Sequence, residues 1–377
     1  MDYIYLDNAA TTPVDEGVLQ KMKPYFGEIY GNAHSQHCIG RRAAYAVDCA
    51  RDLSAGILKC RPEDIYFTSG GSEANNWAVK GVCTANYGKK RRIIVSAIEH
   101  PSVLEAARAM EVFGFETTLI YPDNQGIVRP QSVEKELEKG DAAIVCVMAV
   151  NNETGVIQPY GEIYSLCRAA GVHYHCDCVQ AAGCLAVNGG MADSLSLSAH
   201  KFYGPKGVGS LVINKNARIY PLINGGSQER GRRGGTTNVP AVVGFAEALK
   251  LAAELRESEN KRLAALRDKI LNGLDLPFVK LNGSLSSRVP SNLNLRLEGY
   301  VNTQIMAYLD RFGITVSAGS ACTAGTALPS HTLLAMNIAE KDVKSSIRVT
   351  LGRHTAEADA EKFVSVLRSA FNELNKE

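Results

Sequence analysis

From residue 93 onward, short apolar runs alternate with amphipathic stretches of helical period. The apolar runs predict strands at 93–95, 117–120, 142–150, 172–176, 195–199 and 207–213. The 3.6-residue periodicity predicts helices over 103–113, 130–138 and 160–170. Such alternation indicates a parallel sheet covered by helices on both faces. Ahead of it, helical patterns cover 15–27 and 39–59, and a strand ends at Phe67. Behind it come a Gly/Arg-rich loop at 224–238 and a long helix, rich in Ala, Leu, Glu and Lys, over 240–271. The C-terminal part changes order, with strands near 278–281, 292–297, 314–317 and 347–351 and helices at 302–311 and 356–373. The pattern predicts a large α/β domain and a smaller α+β domain, joined through the long helix.

In an open parallel sheet, ligands bind beyond the carboxyl ends of the strands. Five predicted ends carry polar side chains. Thr68 to Glu73 follow Phe67, Glu99 and His100 follow Val95, and Asn151 to Glu153 follow Val150. Asp177 and Gln180 follow Cys176, and Ser198, His200 and Lys201 follow Leu197. Their convergence marks a site more strongly than any single residue does. Ser69-Gly70-Gly71-Ser72 before a helix start suits an anion such as phosphate, or is a plain cap and turn. It lacks the GK[ST] of a P-loop. Lys201 in an apolar cleft would lose proton affinity and form a Schiff base, although a lone lysine is more often solvated. Asp177 would pair with a cation such as a protonated pyridine nitrogen, or cap the segment starting near Val179. His100 would stack on a flat ring or shuttle a proton near neutral pH, or else cap a helix.

Length and composition narrow the classes. A chain of 377 residues, 45% hydrophobic and 21% charged, is globular and carries two or three domains. A net charge of +2 provides no strong field for nucleic acid or an anionic membrane. No apolar run approaches the length of a membrane span, and no secretory signal is read, so a reducing, cytoplasmic setting is expected. The ten cysteines should therefore be mostly reduced, small and buried. Cys176-Asp177-Cys178 has no second pair to complete a zinc site, and no metal is expected. Cys322 stands apart, because residues 317–326 are nearly all small and should form an accessible loop. A thiol there is a candidate nucleophile that needs help to ionise at pH 7.

These residues resemble the cysteine desulfurases of the NifS/IscS type, in the first group of the class V aminotransferase family. The likeness runs through Tyr5-Leu-Asp-Asn-Ala-Ala-Thr-Thr12, Gly31-Asn-Ala-His-Ser35, Phe67-Thr-Ser-Gly-Gly-Ser-Glu73, Glu99-His100 and Asn151-Asn-Glu-Thr-Gly155. It continues in His175-Cys-Asp177, Ser198-Ala-His-Lys201, Arg233-Gly-Gly-Thr236, Gly319-Ser-Ala-Cys322 and Ser346-Ile-Arg348. The resemblance implies the α/β fold type I of pyridoxal-phosphate transferases, like aspartate aminotransferase. That fold has a mainly parallel seven-stranded sheet flanked by helices and a smaller α+β C-terminal domain. Residues 1–14 would form an arm of the small domain, 15–255 the cofactor domain and 256–377 the small domain carrying the cysteine loop.

The same resemblance implies roles. Lys201 would hold pyridoxal 5'-phosphate as a Schiff base, Asp177 would pair with the ring nitrogen, and His100 would stack on the ring and move protons. Gln180 and Asn152 would bond the ring hydroxyl. Gly71, Ser72, Ser198 and His200 would hold the phosphate, with Thr236 reaching in from the partner of a homodimer. Arg348 and Asn32 would bind the substrate carboxylate. Cys322 would take the sulfur of L-cysteine as a persulfide, releasing alanine. The persulfide would pass to an acceptor protein, such as an iron–sulfur scaffold, a tRNA-thiolating enzyme or a DNA-sulfur-modifying complex. A selenocysteine lyase, a cysteine sulfinate desulfinase and a partner-dependent sulfur carrier are the neighbouring readings. His34 stands where the family often has Ser, and Cys176 and Cys178 lie outside the family pattern and read as core.

Overall fold

The computed structural model describes residues 3–319 and 329–374; Cys322 lies outside them. In chain order the strands are β1 (Ile4–Tyr5), β2 (Ile65–Thr68), β3 (Arg92–Ser96), β4 (Glu116–Ile120), β5 (Ala142–Cys146) and β6 (His173–Asp177). They continue as β7 (Ser194–Ser198), β8 (Gly209–Ile213), β9 (Val279–Leu281), β10 (Asn292–Leu297), β11 (Ile314–Thr315) and β12 (Ser346–Thr350). Seven of them form one sheet in the order β2-β8-β7-β6-β5-β3-β4. β8 alone runs against its neighbours, so six carboxyl ends share one edge. Alternation along the strands divides the core. Ile94 and Val145 face the helices Cys38–Leu58, Tyr160–Ala169 and the first half of Val239–Gly273. Ile93, Val95 and Ile144 face the helices Gly71–Asn86 and Pro101–Glu111.

A separate apolar core gathers around the antiparallel sheet β12-β10-β9 and the pair β1-β11. The helix Val239–Gly273 serves both cores, its residues up to Ala252 packing in the first and Leu263, Leu266 and Ile270 in the second. Ile4 and Leu6 of the N-terminal arm also belong to the second core. No helix among the described residues is long and apolar enough to cross a membrane.

The periodicity places most elements within a few residues, with two informative differences. The helix expected over 15–27 breaks into Glu16–Met22 and Pro24–Gly27. Pro24 has no N–H to continue the ladder and instead opens the second turn. The strand expected over 142–150 ends at Cys146, yet its backbone stays extended, with Val147 N bonded to His175 O and Ala149 N to Asp177 O. Of the described cysteines, five are buried, Cys60 and Cys184 are half-buried, and Cys38 and Cys49 are exposed on one helix.

β2 is an edge strand, and the Gly/Arg-rich loop seals it. Arg51 donates to Ile65 O and forms a two-bond pair with Glu229 at 2.8 and 2.9 Å. Glu229 in turn accepts from Phe67 N at 3.0 Å. Glu229 and Arg230 hold left-handed backbone angles, which the buried pair and the Arg230 bond to Ile65 O compensate. Removing one partner of a buried pair strands the other charge. Glu229→Ala should therefore lower the unfolding free energy by about 3 kcal/mol or more. Replacing Arg51 and Glu229 together by Met and Leu should cost less. Urea denaturation of the two variants checks this, and equal losses would contradict it.

Candidate active site

The shared carboxyl edge of the sheet opens into a cleft. Each wall follows from a strand end. After β2, Gly70 adopts a φ of +155° open only to glycine, and the helix Gly71–Asn86 begins. A Cβ on Gly71 would lie 2.7 Å from Val179 Cγ2, so this helix start and the turn after β6 meet without room for a side chain. After β3, His100 caps the helix Pro101–Glu111 with Nδ1 accepting from Ser102 N. β6 ends in Asp177, and β7 ends in Ser198 and runs into the short 3-10 turn Ala199–Lys201. From the second core, β12 adds Arg348.

Asp177 is buried, 4% exposed, and both its oxygens are engaged. Oδ1 accepts from Val179 N at 2.9 Å and Oδ2 from Asn75 Nδ2 at 2.7 Å. Lys201 Nζ donates to Ala9 O and Ala10 O at 2.6 and 2.8 Å. Gln180 Nε2 donates to the same Ala9 carbonyl. Arg348, 1% exposed, is fixed by Asp7 through Nη2 at 2.7 Å and by Asn152 O through Nη1 at 3.0 Å.

A family model described as "Aminotransferase class-V" matches residues 4–363. The chain belongs to the class-V aminotransferase family. It is 40% identical over 375 residues to the curated "Cysteine desulfurase IscS" of Dictyoglomus turgidum, covering 98% of this chain and 95% of that protein. Among solved structures it superposes on a NifS-like protein with a TM-score of 0.93 and 34% identity, over 99% of this chain and 100% of the other. It also matches "SspA in complex with cysteine", with a TM-score of 0.81 and 31% identity over 94% of this chain and all of that one. Class-V aminotransferases are pyridoxal-phosphate enzymes.

Within this family fold, ten of the residues singled out in the sequence line the one cleft. They are Lys201, Asp177, His100, Gln180 and Asn152, with Gly71, Ser72, Ser198, His200 and Arg348. Asn32 and Thr236 do not line it within this chain. Both are exposed, and Asn32 Oδ1 accepts from His34 N. Cys322 lies outside the described residues. Sequence reading passed over Asn75, Ser102 and the Ala9 and Ala10 carbonyls. The signal for Asn75 was its place one turn after Gly71 and Ser72, on the same helical face; backbone carbonyls leave no sequence trace.

Burial governs the site's protonation. It pushes the Glu99 carboxyl up to about 8, with the Asp177 charge adding to the shift and the bonds from Met148 N and Ser96 opposing it. His100 is lowered, chiefly by burial, with Lys201 and His331 adding and Asp177 opposing, so its imidazole is neutral at pH 7. Burial, Lys201 and Lys206 bring His200 down to about 4. Glu99 binds a proton in the folded chain that the unfolded chain releases near its ordinary value of about 4.3. The stability from this bound proton is full below that value and is lost as pH rises toward about 8. Glu99→Gln keeps an acceptor for Met148 N at 2.7 Å. Its thermal midpoint should fall less than the parent's as pH rises across that window. Parallel curves for the two proteins would mean that Glu99 ionises normally.

Proposed function

We propose that this chain is a cysteine desulfurase that uses pyridoxal 5'-phosphate to move the sulfur of L-cysteine onto Cys322. The observation that carries the reading is the meeting of Lys201, Asp177, His100 and Arg348 in one cleft. Asp177, His100 and Lys201 come from three separate strand ends and Arg348 from within β12, in a chain that shares 40% identity with a cysteine desulfurase. The cleft's donor set suits the cofactor. Asp177 is an acceptor for a ring N–H, and Lys201 is an amine for an aldehyde. The start of the helix Gly71–Asn86, with Ser72, Ser198 and His200, offers donors to a phosphate. When bound, the cofactor supplies an aldehyde that condenses with amines and a ring that accepts electron density from the substrate α-carbon.

The chain's own residues do the rest. Asp177 would keep a proton on the ring nitrogen, and Gln180 and Asn152 would bond the ring hydroxyl. His100 would stack on the ring and, neutral at pH 7, holds a proton for transfer. Lys201 Nζ takes the substrate α-proton. Arg348 orients the substrate carboxylate. Asp7 and Asn152 fix its guanidinium, and its buried Nε has no partner among the described residues. Cys322, as a thiolate, attacks the sulfur of L-cysteine. An S–S bond forms, the C–S bond breaks with its electrons going to carbon, and alanine leaves a persulfide on Cys322. The solved relative in complex with cysteine supports this substrate. A second copy of the chain would bring Thr236 toward a cleft. The parting of the cores between Ala252 and Leu263 supports a domain boundary near residue 255. A sulfur-acceptor protein then receives the persulfide.

Purified protein given the cofactor should show a band at about 400–420 nm that Lys201→Ala loses. With reductant it should convert L-cysteine to alanine and sulfide. Cys322→Ala should keep the band and lower sulfide release by about a hundredfold or more. A protein that stays colourless, or a fully active Cys322→Ala, would sink the assignment.

A further inference from the structure

Asn75 lies 1% exposed in the helix Gly71–Asn86, between Asp177 and the pair Ser102–His100. Its Nδ2 donates to Asp177 Oδ2 at 2.7 Å and to Ser102 Oγ at 2.9 Å, which uses both amide protons. Its Oδ1 accepts from Ser196 Oγ at 2.5 Å and lies 3.0 Å from His175 Nε2. The amide cannot be reversed. A carboxylate only accepts, so turning Oδ1 toward Asp177 would set two acceptors against each other. Ser102 Oγ, accepting from Asn75, has its own proton left for His100 Nδ1 at 2.8 Å. Nδ1 also accepts from Ser102 N at 3.1 Å. With two donors on Nδ1, the neutral imidazole carries its proton on Nε2.

We propose that Asn75 is a positioning residue that sets the rotamer of Asp177 and turns the Ser102 hydroxyl so that its proton faces His100. One amide group thereby joins the carboxylate facing the ring nitrogen to the histidine that moves protons. It does so from the helix whose first turn would hold the phosphate. This rests on the functional reading above. The titratable groups around Asn75 are His175 and Asp177 on β6 and His100 across Ser102. Glu99 lies beyond Asp177, and the charge of Lys201 reaches His100.

The test compares Asn75→Leu and Asn75→Asp with the parent as holoenzyme. Cofactor affinity and the pH midpoint of the visible band are measured between about pH 5 and 9. Asn75→Leu should bind pyridoxal phosphate at least about tenfold more weakly at every pH. Asn75→Asp should be weak at high pH, where two carboxylates face each other. It should recover as pH falls, because the new carboxyl, once protonated, can donate to Asp177. Nitrogen NMR of labelled histidine should show His100 protonated at Nε2 in both proteins, with the Nδ1 resonance shifted in Asn75→Leu as the bond from the Ser102 hydroxyl is lost. If Asn75→Leu fails to fold, the acid recovery of Asn75→Asp carries the test alone. Parent-like affinity and midpoint in both variants, or a loss in Asn75→Asp that does not ease as pH falls, would overturn the proposal. A parent that binds no cofactor would instead overturn the functional reading.

Discussion

A carboxylate ends the central strand β6 inside the protein, and most of the site is arranged around that fact. Asp177 is 4% exposed, so its charge has to be met by donors rather than water. Val179 N and Asn75 Nδ2 meet it, and Asn75 is itself held by Ser196 and His175. A second carboxyl, Glu99, is buried within reach of the same charge and gives way by keeping its proton. Burial is the main cause of the rise at Glu99, the neighbouring charge adds to it, and the bonds from Met148 N and Ser96 only partly oppose it.

The second dependence is on the meeting of two cores. Arg348 belongs to β12 in the second core, but its guanidinium is set by Asp7 in the N-terminal arm and by Asn152 beyond β5. The arm also supplies the Ala9 and Ala10 carbonyls that hold Lys201. Residues for the substrate end and for the amine are therefore placed by contact between the cores. The large sheet alone would orient Asp177, His100 and Ser198, but it supplies neither the Ala9 and Ala10 carbonyls to Lys201 nor the Asp7 carboxylate to Arg348.

How far the sequence could be read follows from the same division. Strand ends are visible as apolar runs that stop at polar residues, and this found Asp177, His100, Ser198, His200 and Lys201 without any contact map. The backbone position of each is local, set by the strand before it. Arg348 gave no such signal, and only the family likeness marked it. Its partners lie 341 and 196 residues away in the chain, so only the folded packing identifies them. Asn75 was missed for a related reason. One turn into a helix it reads as a neutral helical residue, and its meaning depends on four polar atoms from β6, β7 and the helix Pro101–Glu111. The proline break at Pro24 was legible in principle, since proline cannot continue the ladder, but the amphipathic period ran across it.

His100 and Lys201 share a consequence of burial that bears on proton handling. Each is half-buried, and each has its polar atoms directed by neighbours: Nδ1 of His100 by Ser102, Nζ of Lys201 by two carbonyls. A neutral histidine whose Nδ1 is saturated presents a donor, so His100 starts as the proton's owner and not as its acceptor. In the proposed reaction Lys201 would then be the base for the α-carbon, and His100 would give a proton elsewhere in the cleft. Division of labour between an amine and an imidazole needs no difference in residue type beyond this. It follows from which nitrogen the buried hydrogen bonds occupy.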